Sequence, residues 1–503
     1  MAGRSVTSIS EQKASVPAKS AESPNLFNAE FKAFVNDILS QWNNPGVSLA
    51  VIDGENVYAE GFGHATLPDT KATSETLYFT GSTTKAFTAA LLAHLINSKE
   101  YPELAKGWNT PISSILRDDF VLQDEWATKH LTLRDAAGHI TGMSRHDLSL
   151  LRETDCNEST NKDFVRNMRH LPYVTEPRTK LQYCNYMYFT LSHVIETLTG
   201  MSLEACMRKH IFKPLGMSAT FLNIKDAEKA PEHLASSYFW PEDGKEFKKI
   251  GHMPSKMLSG AGGLISTVVD YTKWLNALIH KADIFNEATH KDIRSSISIA
   301  SATDEPDITC YGLGWTRLSM HGQVVYTHNG STGTFGSYVM WLPHLKFGVV
   351  AFSNGFESAI PVTNILARRL LEDRLCIPEN ERVDRSKIFK ENERKEKDDF
   401  KKATEILYAN RPAKPVPSTL PSKQLEGKYH HAGYGTIHLI ERPHPERSGE
   451  SILVAERPDY SSNAFQAVEF RYGVNGKPSA FEMSIVSRAE EVDEGKVLFE
   501  RVE

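Results

Sequence analysis

Three short groups of residues carry side chains able to break an acyl bond. Ser82 and Lys85 stand three positions apart in Thr80-Gly81-Ser82-Thr83-Thr84-Lys85. From Lys85 onward, Phe87, Leu91, Leu92, Leu95 and Ile96 recur at helical spacing, which predicts a helix with Ser82 at its N-terminus. Residues at i and i+3 share a helix face, so hydroxyl and amine lie side by side. A serine is a poor nucleophile until a base takes its proton. A desolvated lysine one turn away can do that, and the helix N-terminus favours the negative charge that develops. Tyr183 and Asn185 form the second group, just ahead of a helical stretch at 186–199. A phenol close to a lysine can ionise and act as a base, and the amide can donate to Lys85 or to a substrate carbonyl. The third group is His328-Asn329-Gly330-Ser331, at the end of a strand. Glycine at 330 lets a strand edge approach a ligand closely. The N–H of Ser331 then joins that of Ser82 as an oxyanion pair, with His328 facing the cleft as donor or proton relay.

Each group alone also has a plainer reading. Ser82 reads as an N-cap with Lys85 solvated beside it. Tyr183 reads as a loop tyrosine, Asn185 as an N-cap, and 328–331 as a hairpin loop. A second Ser-x-x-Lys, Ser10 to Lys13, lies in the polar N-terminal tail and shows how readily the spacing arises. Cys184 reads as a small buried filler.

The elements that must position these residues follow from periodicity. Residues 29–42 carry an amphipathic stripe, Phe31, Phe34, Val35, Ile38, Leu39 and Trp42. Pro45-Gly46 breaks it, and 47–52 and 56–62 read as a hairpin through Asp53-Gly54. Residues 105–210 are mostly helix and loop, with His139-Ile140-Thr141-Gly142-Met143 ending one helix on a glycine stop. Gly260-Ala261-Gly262-Gly263 reads as a turn before a helix at 268–279. Strands return at 324–330, 336–341 and 347–352, and an apolar helix at 360–375 closes the region. Helix and strands, a helical middle, then strands and helix predict an α+β fold. In it the two ends of the region share one antiparallel sheet, and a helical subdomain sits beside it. Residues 379–402 are densely charged and read as a solvated helix or linker. A proline linker at 411–417 follows. Alternation at 434–439, 451–454 and 481–485 then predicts a small all-β domain. The expected division is a disordered tail at 1–27, a catalytic domain at 28–378, a linker at 379–423 and the β domain at 424–503.

Composition narrows the function classes. The 503-residue chain carries a formal net charge of -6, which argues against a nucleic-acid partner. No run is long and apolar enough to span a membrane. The N-terminus lacks the apolar core of a secretory signal, and five scattered cysteines without C-x-x-C spacing suit reduced thiols. A cytoplasmic location is expected. No metal-ligand cluster or nucleotide-binding glycine motif is present, so no cofactor and no metal are expected.

Taken together and in order, Ser-x-x-Lys, Tyr-x-Asn and His-x-Gly resemble the three elements of the penicillin-recognising serine enzymes. The chain is similar to their class C β-lactamase-like branch, which includes esterases and D-aminopeptidases. Gly61-Phe62-Gly63, Leu131-Thr132-Leu133-Arg134, Phe212-Lys213-Pro214-Leu215-Gly216-Met217, Tyr311-Gly312-Leu313-Gly314-Trp315 and Ser353-Asn354-Gly355 add further landmarks in family order. The C-terminal segment resembles the small lipocalin-like β domain that some members carry. The resemblance implies the serine β-lactamase/D,D-peptidase-like fold over about 28–375. It makes Ser82 the acylated nucleophile and Lys85 the group that eases its deprotonation. Tyr183 becomes the proton shuttle that also activates the deacylating water. Asn185 positions substrate, and the N–H groups of Ser82 and Ser331 form the oxyanion hole. His328 occupies the place where β-lactamases carry lysine, and it offers less charge to a β-lactam carboxylate. The expected activity is therefore a serine hydrolase acting on an ester or amide of a small molecule. The alternatives are an acyltransferase in small-metabolite biosynthesis, a D-amino-acid peptidase or β-lactamase, and, from another class, a catalytically silent binding protein. Oligomeric state has no signal in the sequence.

Overall fold

The computed structural model describes residues 26–502 except 152–158, 242–243, 253–257, 301–306, 411, 413–419, 445–447, 457–467 and 485–494. Most of the tail and nearly all of the proline linker lie outside the described residues. Leu26 and Phe27, placed with the tail on sequence grounds, are buried. The Phe27 ring stacks on Phe31 with centroids 5.6 Å apart, so these apolar side chains extend the first helix's contact.

That helix, α1 (Ala29–Gln41), starts at Asn28, whose side chain accepts from the Phe31 N–H at 2.9 Å. It buries Phe31, Val35, Ile38 and Leu39, one stripe of the expected set. The chain then enters β1 (Gly46–Asp53), every residue of which is buried. A continuous apolar run of this kind belongs at the centre of a sheet covered on both faces. Among the described residues nine strands form that sheet. The others are β2 (Asn56–Thr66), β3 (Thr70–Lys71), β4 (Ser296–Ala300), β5 (Thr309–Gly312), β6 (Thr316–Met320), β7 (Gln323–Ser331), β8 (Gly336–Leu342) and β9 (Phe347–Ser353). Their order is β3-β2-β1-β9-β8-β7-β6-β5-β4. The N-terminal hairpin thus joins the C-terminal strands antiparallel, with Val47 opposite Ser353 and Val51 opposite Val349.

Alternation sorts the strand side chains onto two faces. Leu49, Val51, Met340, Val349 and Ala351 share one cluster with Phe31 and Val35 of α1, and with Leu366 and Leu370 of the C-terminal helix Ala359–Arg374. Ile52, Val339, Trp341, Val350 and Phe352 face the other way. They join Phe87 and Leu91 of α2 (Thr84–Ser98), and Trp274 and Leu275 of the helix Val268–His280. Helix α2 is buried nearly all round, from Thr84 through Ala93 and again at Leu95 and Ile96. Its alanines at 86, 89, 90 and 93 allow neighbours to close on every side.

Two local readings change. The helix Leu133–Ala137 ends at Gly138, before His139; Gly142 is a positive-φ residue of the following loop. The glycine-rich turn is a short helical segment, Ser259–Gly262. A Cβ at Gly260 would lie 2.2 Å from Ser192 Oγ and 2.7 Å from Thr88 Oγ1, so glycine is there to let α2 and the helix Asn185–Thr199 approach. The charged stretch is the helix Arg385–Lys401, which buries no residue. The C-terminal all-β domain holds six described antiparallel strands with two edges, whereas a lipocalin barrel closes with eight.

Phe87 is fully buried and stacks on Trp274 with centroids 4.4 Å apart, so it anchors the helix that carries Lys85. Phe87→Ala is expected to cost about 3–5 kcal/mol, read by urea unfolding. A loss below about 1 kcal/mol would mean the site helix is held elsewhere.

Candidate active site

The serine turn is stitched in place by its threonines. Gly81–Thr83 forms a tight helical turn leading into α2. Thr83 Oγ1 donates to the Thr80 carbonyl at 3.0 Å, and Thr84 Oγ1 to the Gly81 carbonyl at 2.7 Å. Thr84 Oγ1 also accepts from the Leu264 N–H at 3.1 Å. The Tyr271 hydroxyl meets both Thr80 Oγ1 (2.9 Å) and Thr83 Oγ1 (2.8 Å). The N-cap of α2 is Thr83, not Ser82. The Ser82 hydroxyl is 3.1 Å from Lys85 Nζ and also hydrogen-bonds Tyr183.

Lys85 is completely buried. Its Nζ lies 2.8 Å from Asn185 Oδ1 and 2.6 Å from the Ala261 carbonyl. Among the described residues no carboxylate forms a salt bridge with it. Burial lowers its pKa well below the ordinary lysine value, Arg145 lowers it further, and Asp147 partly opposes the shift. The Asn185 amide accepts from Lys85, the reverse of the direction expected from sequence. Its Nδ2 donates to Asp147 Oδ1 at 2.9 Å. A lysine at one end and a carboxylate at the other leave one orientation for that amide. Asp147 Oδ2 in turn accepts from Arg145 Nε at 2.9 Å. The Arg145 guanidinium lies 5.0 Å from the Tyr183 ring centroid, and Lys85 Nζ 4.9 Å from it.

Burial raises the Tyr183 pKa, although hydrogen bonding to Ser82 and the charge of Arg145 oppose this. The resting group is a phenol, suited to relaying a proton, not the standing phenolate that a resident base would need. Cys184 is buried, and its thiol is pushed up to about 12, which fits the filler reading.

His328 is buried, with Nδ1 2.5 Å from the Asn329 carbonyl, so Nδ1 carries the hydrogen. Burial and Lys85 bring its pKa down to about 4. The ring is neutral, and Nε2 accepts from the Tyr311 hydroxyl at 3.1 Å. Gly330 and Gly81 bring two backbones together. A Cβ on Gly330 would lie 2.0 Å from the Thr80 carbonyl oxygen and 3.0 Å from the Ser82 nitrogen. One on Gly81, at φ 54°, would lie 2.6 Å from the Ser331 nitrogen. The N–H groups of Ser82 and Ser331 therefore belong to neighbouring strips of main chain. The structure thus gathers all seven sequence-selected residues at one place.

Sequence reasoning missed several others. The Ala261 carbonyl sits in a segment noted only for its glycines. Asp147 and Arg145 belong to no motif. His139 lies in a recognised landmark, yet its task was not read. Its Nδ1 accepts from the Cys184 N–H at 3.1 Å, and its ring packs 4.3 Å from Tyr183, fixing the backbone between Tyr183 and Asn185.

A serine bonded to a buried lysine and a tyrosine, at a helix N-terminus and against a strand edge, is the apparatus of a serine acyl hydrolase. The family model described as Beta-lactamase matches residues 31–372, and the chain belongs to that family. It is 33% identical over 489 residues to the unguisins hydrolase ungD' of Aspergillus campestris, covering 92% of this chain and 90% of the relative. It is 34% identical over 435 residues to the unguisins hydrolase ungD of Aspergillus violaceofuscus, covering 82% and 76%. The octameric penicillin-binding protein homologue from Pyrococcus abyssi superposes with a TM-score of 0.62 at 21% identity, covering 92% of this chain and 96% of that one. The D-amino acid amidase from Ochrobactrum anthropi gives 0.57 at 23%, covering 68% and 98%. At such identities the two structures speak for the fold. With the hydrolase relatives, the family makes this chain a serine hydrolase of the amidase or esterase type. Among the described residues no His, Cys, Asp and Glu group could hold a metal ion, and no helix is long and apolar enough to cross a membrane.

Gly330→Ala forces the strand edge away from the serine turn. It is expected to slow covalent labelling by a fluorophosphonate about 100-fold with the circular dichroism spectrum retained. A folded variant that labels at the wild-type rate would show that the close approach has no catalytic use.

Proposed function

We propose that the protein hydrolyses an ester or amide of a small molecule through an acyl-enzyme on Ser82. The observation that carries this reading is the set of atoms around Lys85 Nζ. Two of its three neighbours, Asn185 Oδ1 and the Ala261 carbonyl, can only accept hydrogens. A neutral amine has two hydrogens, and both are engaged. In that neutral form the lone pair is left for the Ser82 hydroxyl, whose oxygen lies 3.1 Å from Nζ. Burial lowers the Lys85 pKa and so favours the neutral amine that this role needs.

The steps follow. Ser82 Oγ attacks the substrate carbonyl carbon as its proton passes to Lys85. The N–H groups of Ser82 and Ser331 receive the charge on the carbonyl oxygen. The bond to the leaving alkoxide or amine breaks as Tyr183 gives it a proton, and the Lys85 ammonium restores the phenol. Water then attacks the acyl ester, its proton taken through the same Tyr183–Lys85 pair. The carboxylic acid departs with the Ser82 hydroxyl regenerated. Asn185 holds the amine throughout.

The unguisins hydrolases support hydrolysis over acyl transfer and a substrate of the kind they are named for, since the likeness covers 92% of this chain and so extends beyond the catalytic region. A neutral His328 gives no positive charge to a substrate carboxylate, which supports an uncharged acyl segment over a β-lactam.

Wild type is expected to take one fluorophosphonate label and to turn over p-nitrophenyl esters, and Ser82→Ala to do neither. Equal behaviour of the two proteins would sink the enzymatic reading. The pH dependence has a sign. A neutral Lys85 is the active form, so kcat/KM rises with pH through its pKa and then levels. Arg145→Gln removes a charge that lowers this pKa, so the acid limb moves to higher pH. Asp147→Asn removes one that raises it, so the limb moves to lower pH. Shifts of roughly half a unit each are expected. Two shifts of the same sign would contradict Lys85 as the titrating base.

A further inference from the structure

The loop that carries Asp147 is not held by the catalytic half alone. His146, between Arg145 and Asp147, has a φ of 50°. A side chain other than glycine keeps this left-handed backbone only where its surroundings hold it. Its ring is buried and bonded at both nitrogens. Nε2 lies 2.9 Å from the Pro172 carbonyl, which can only accept, so Nε2 carries the hydrogen. Burial brings the pKa down to about 4, so the ring is neutral and Nδ1 is an acceptor. The group that meets Nδ1, at 2.7 Å, is the hydroxyl of Tyr434, 288 residues further along. The tautomer obliges that hydroxyl to donate.

Tyr434 stands in the turn between the strands Gly427–His431 and Gly435–Pro443 of the C-terminal domain. Its neighbour Gly433 is seated as tightly. A Cβ there would lie 2.8 Å from Leu171 Cδ2. The Gly433 carbonyl accepts from Asn167 Nδ2 at 3.0 Å, and that nitrogen also donates to the Tyr186 hydroxyl at 3.0 Å. The Tyr186 hydroxyl meets Ser149 Oγ at 2.5 Å, and Ser149 Oγ donates to the His146 carbonyl at 2.6 Å. Two hydrogen-bonded routes thus run from one hairpin turn to the two supports of Asn185. One reaches Tyr186, the next residue of its helix. The other reaches the segment of its partner Asp147.

We propose that Tyr434 is a positioning residue for the hydrolase site: by holding His146 it keeps Asp147 where it orients the Asn185 amide toward Lys85. The kinetic consequence rests on the Ser82 hydrolase reading. The C-terminal β domain is then part of the active-site wall, not an appendage.

Tyr434→Phe in the full chain removes the hydroxyl and keeps the ring packed on His431 and Phe499, whose centroids lie 5.5 and 5.8 Å away. Three readouts test the proposal. Fluorophosphonate labelling of Ser82 is expected to slow about tenfold at an unchanged melting temperature. Hydrogen–deuterium exchange in peptides covering 143–151 is expected to quicken, while peptides from the central sheet do not change. In an Asp147→Asn background the same substitution is expected to slow labelling less than about twofold further. Unchanged exchange at 143–151 overturns the proposal. So does faster exchange with unchanged labelling, or a full tenfold loss in the Asp147→Asn background. A wild-type protein that takes no label at Ser82 sinks the hydrolase reading instead, and the exchange measurement still decides whether Tyr434 holds the loop.

Discussion

The structure depends on keeping one amine dry. An ammonium moved into a protein interior costs several kcal/mol even after relaxation, and a paired carboxylate is the usual remedy. Lys85 has no such partner among the described residues. It meets two amide-type oxygens and a hydroxyl, all neutral. Neutral acceptors do not stabilise the charge enough to offset burial, and the Lys85 pKa is accordingly driven well below the ordinary lysine value. Full enclosure is therefore a chemical requirement. It explains why α2 is apolar and small-sided around its whole circumference, where an ordinary surface helix would keep one polar face. It also explains why the sheet, the segment Ser259–Gly262 and the helix Asn185–Thr199 all close on it.

Enclosure must still leave the serine reachable, and main chain does that work. Side-chain donors near Ser82 would add bulk and rotamer freedom at the place where geometry is least forgiving. Two glycines bring the serine turn and the edge of β7 together, and the small Ser337 hydroxyl donates to the Thr80 carbonyl at 2.6 Å beside them. The threonines around Ser82 then spend their hydroxyls on neighbouring carbonyls and on Tyr271, so the turn is fixed by groups other than the Ser82 hydroxyl.

What was legible in the sequence follows from this division. The central strands and the long helices were readable because their patterns are local: β1 is a continuous apolar run, and α1 has a clean stripe. The seven candidate residues that the structure brings together were readable because each belongs to a short motif whose spacing has a mechanical reason. The remainder fails that test. The Ala261 carbonyl is backbone, and backbone acceptors leave no mark on residue type. Gly260 to Gly262 looked like a turn because glycine usually marks one, whereas here it marks crowding between helices. Asp147 and Tyr434 act through partners 38 and 288 residues away, and no periodicity reports contacts at such separations.

The two sides of the cleft consequently differ in kind. The Lys85 side is sealed, made of backbone and glycine, and tolerates little change. The Arg145 side is open: the arginine side chain is 60% exposed and the Asp147 side chain 36%. Its ion pair sits in water-accessible surroundings, where such a pair contributes little to stability on its own. The order of that wall must therefore come from elsewhere. His146 supplies it from within the wall, buried between two exposed-side neighbours and bonded at both ring nitrogens. An open, solvated face held from behind by a buried histidine can accept a substrate without losing the orientation of Asn185. A sealed face could not do both.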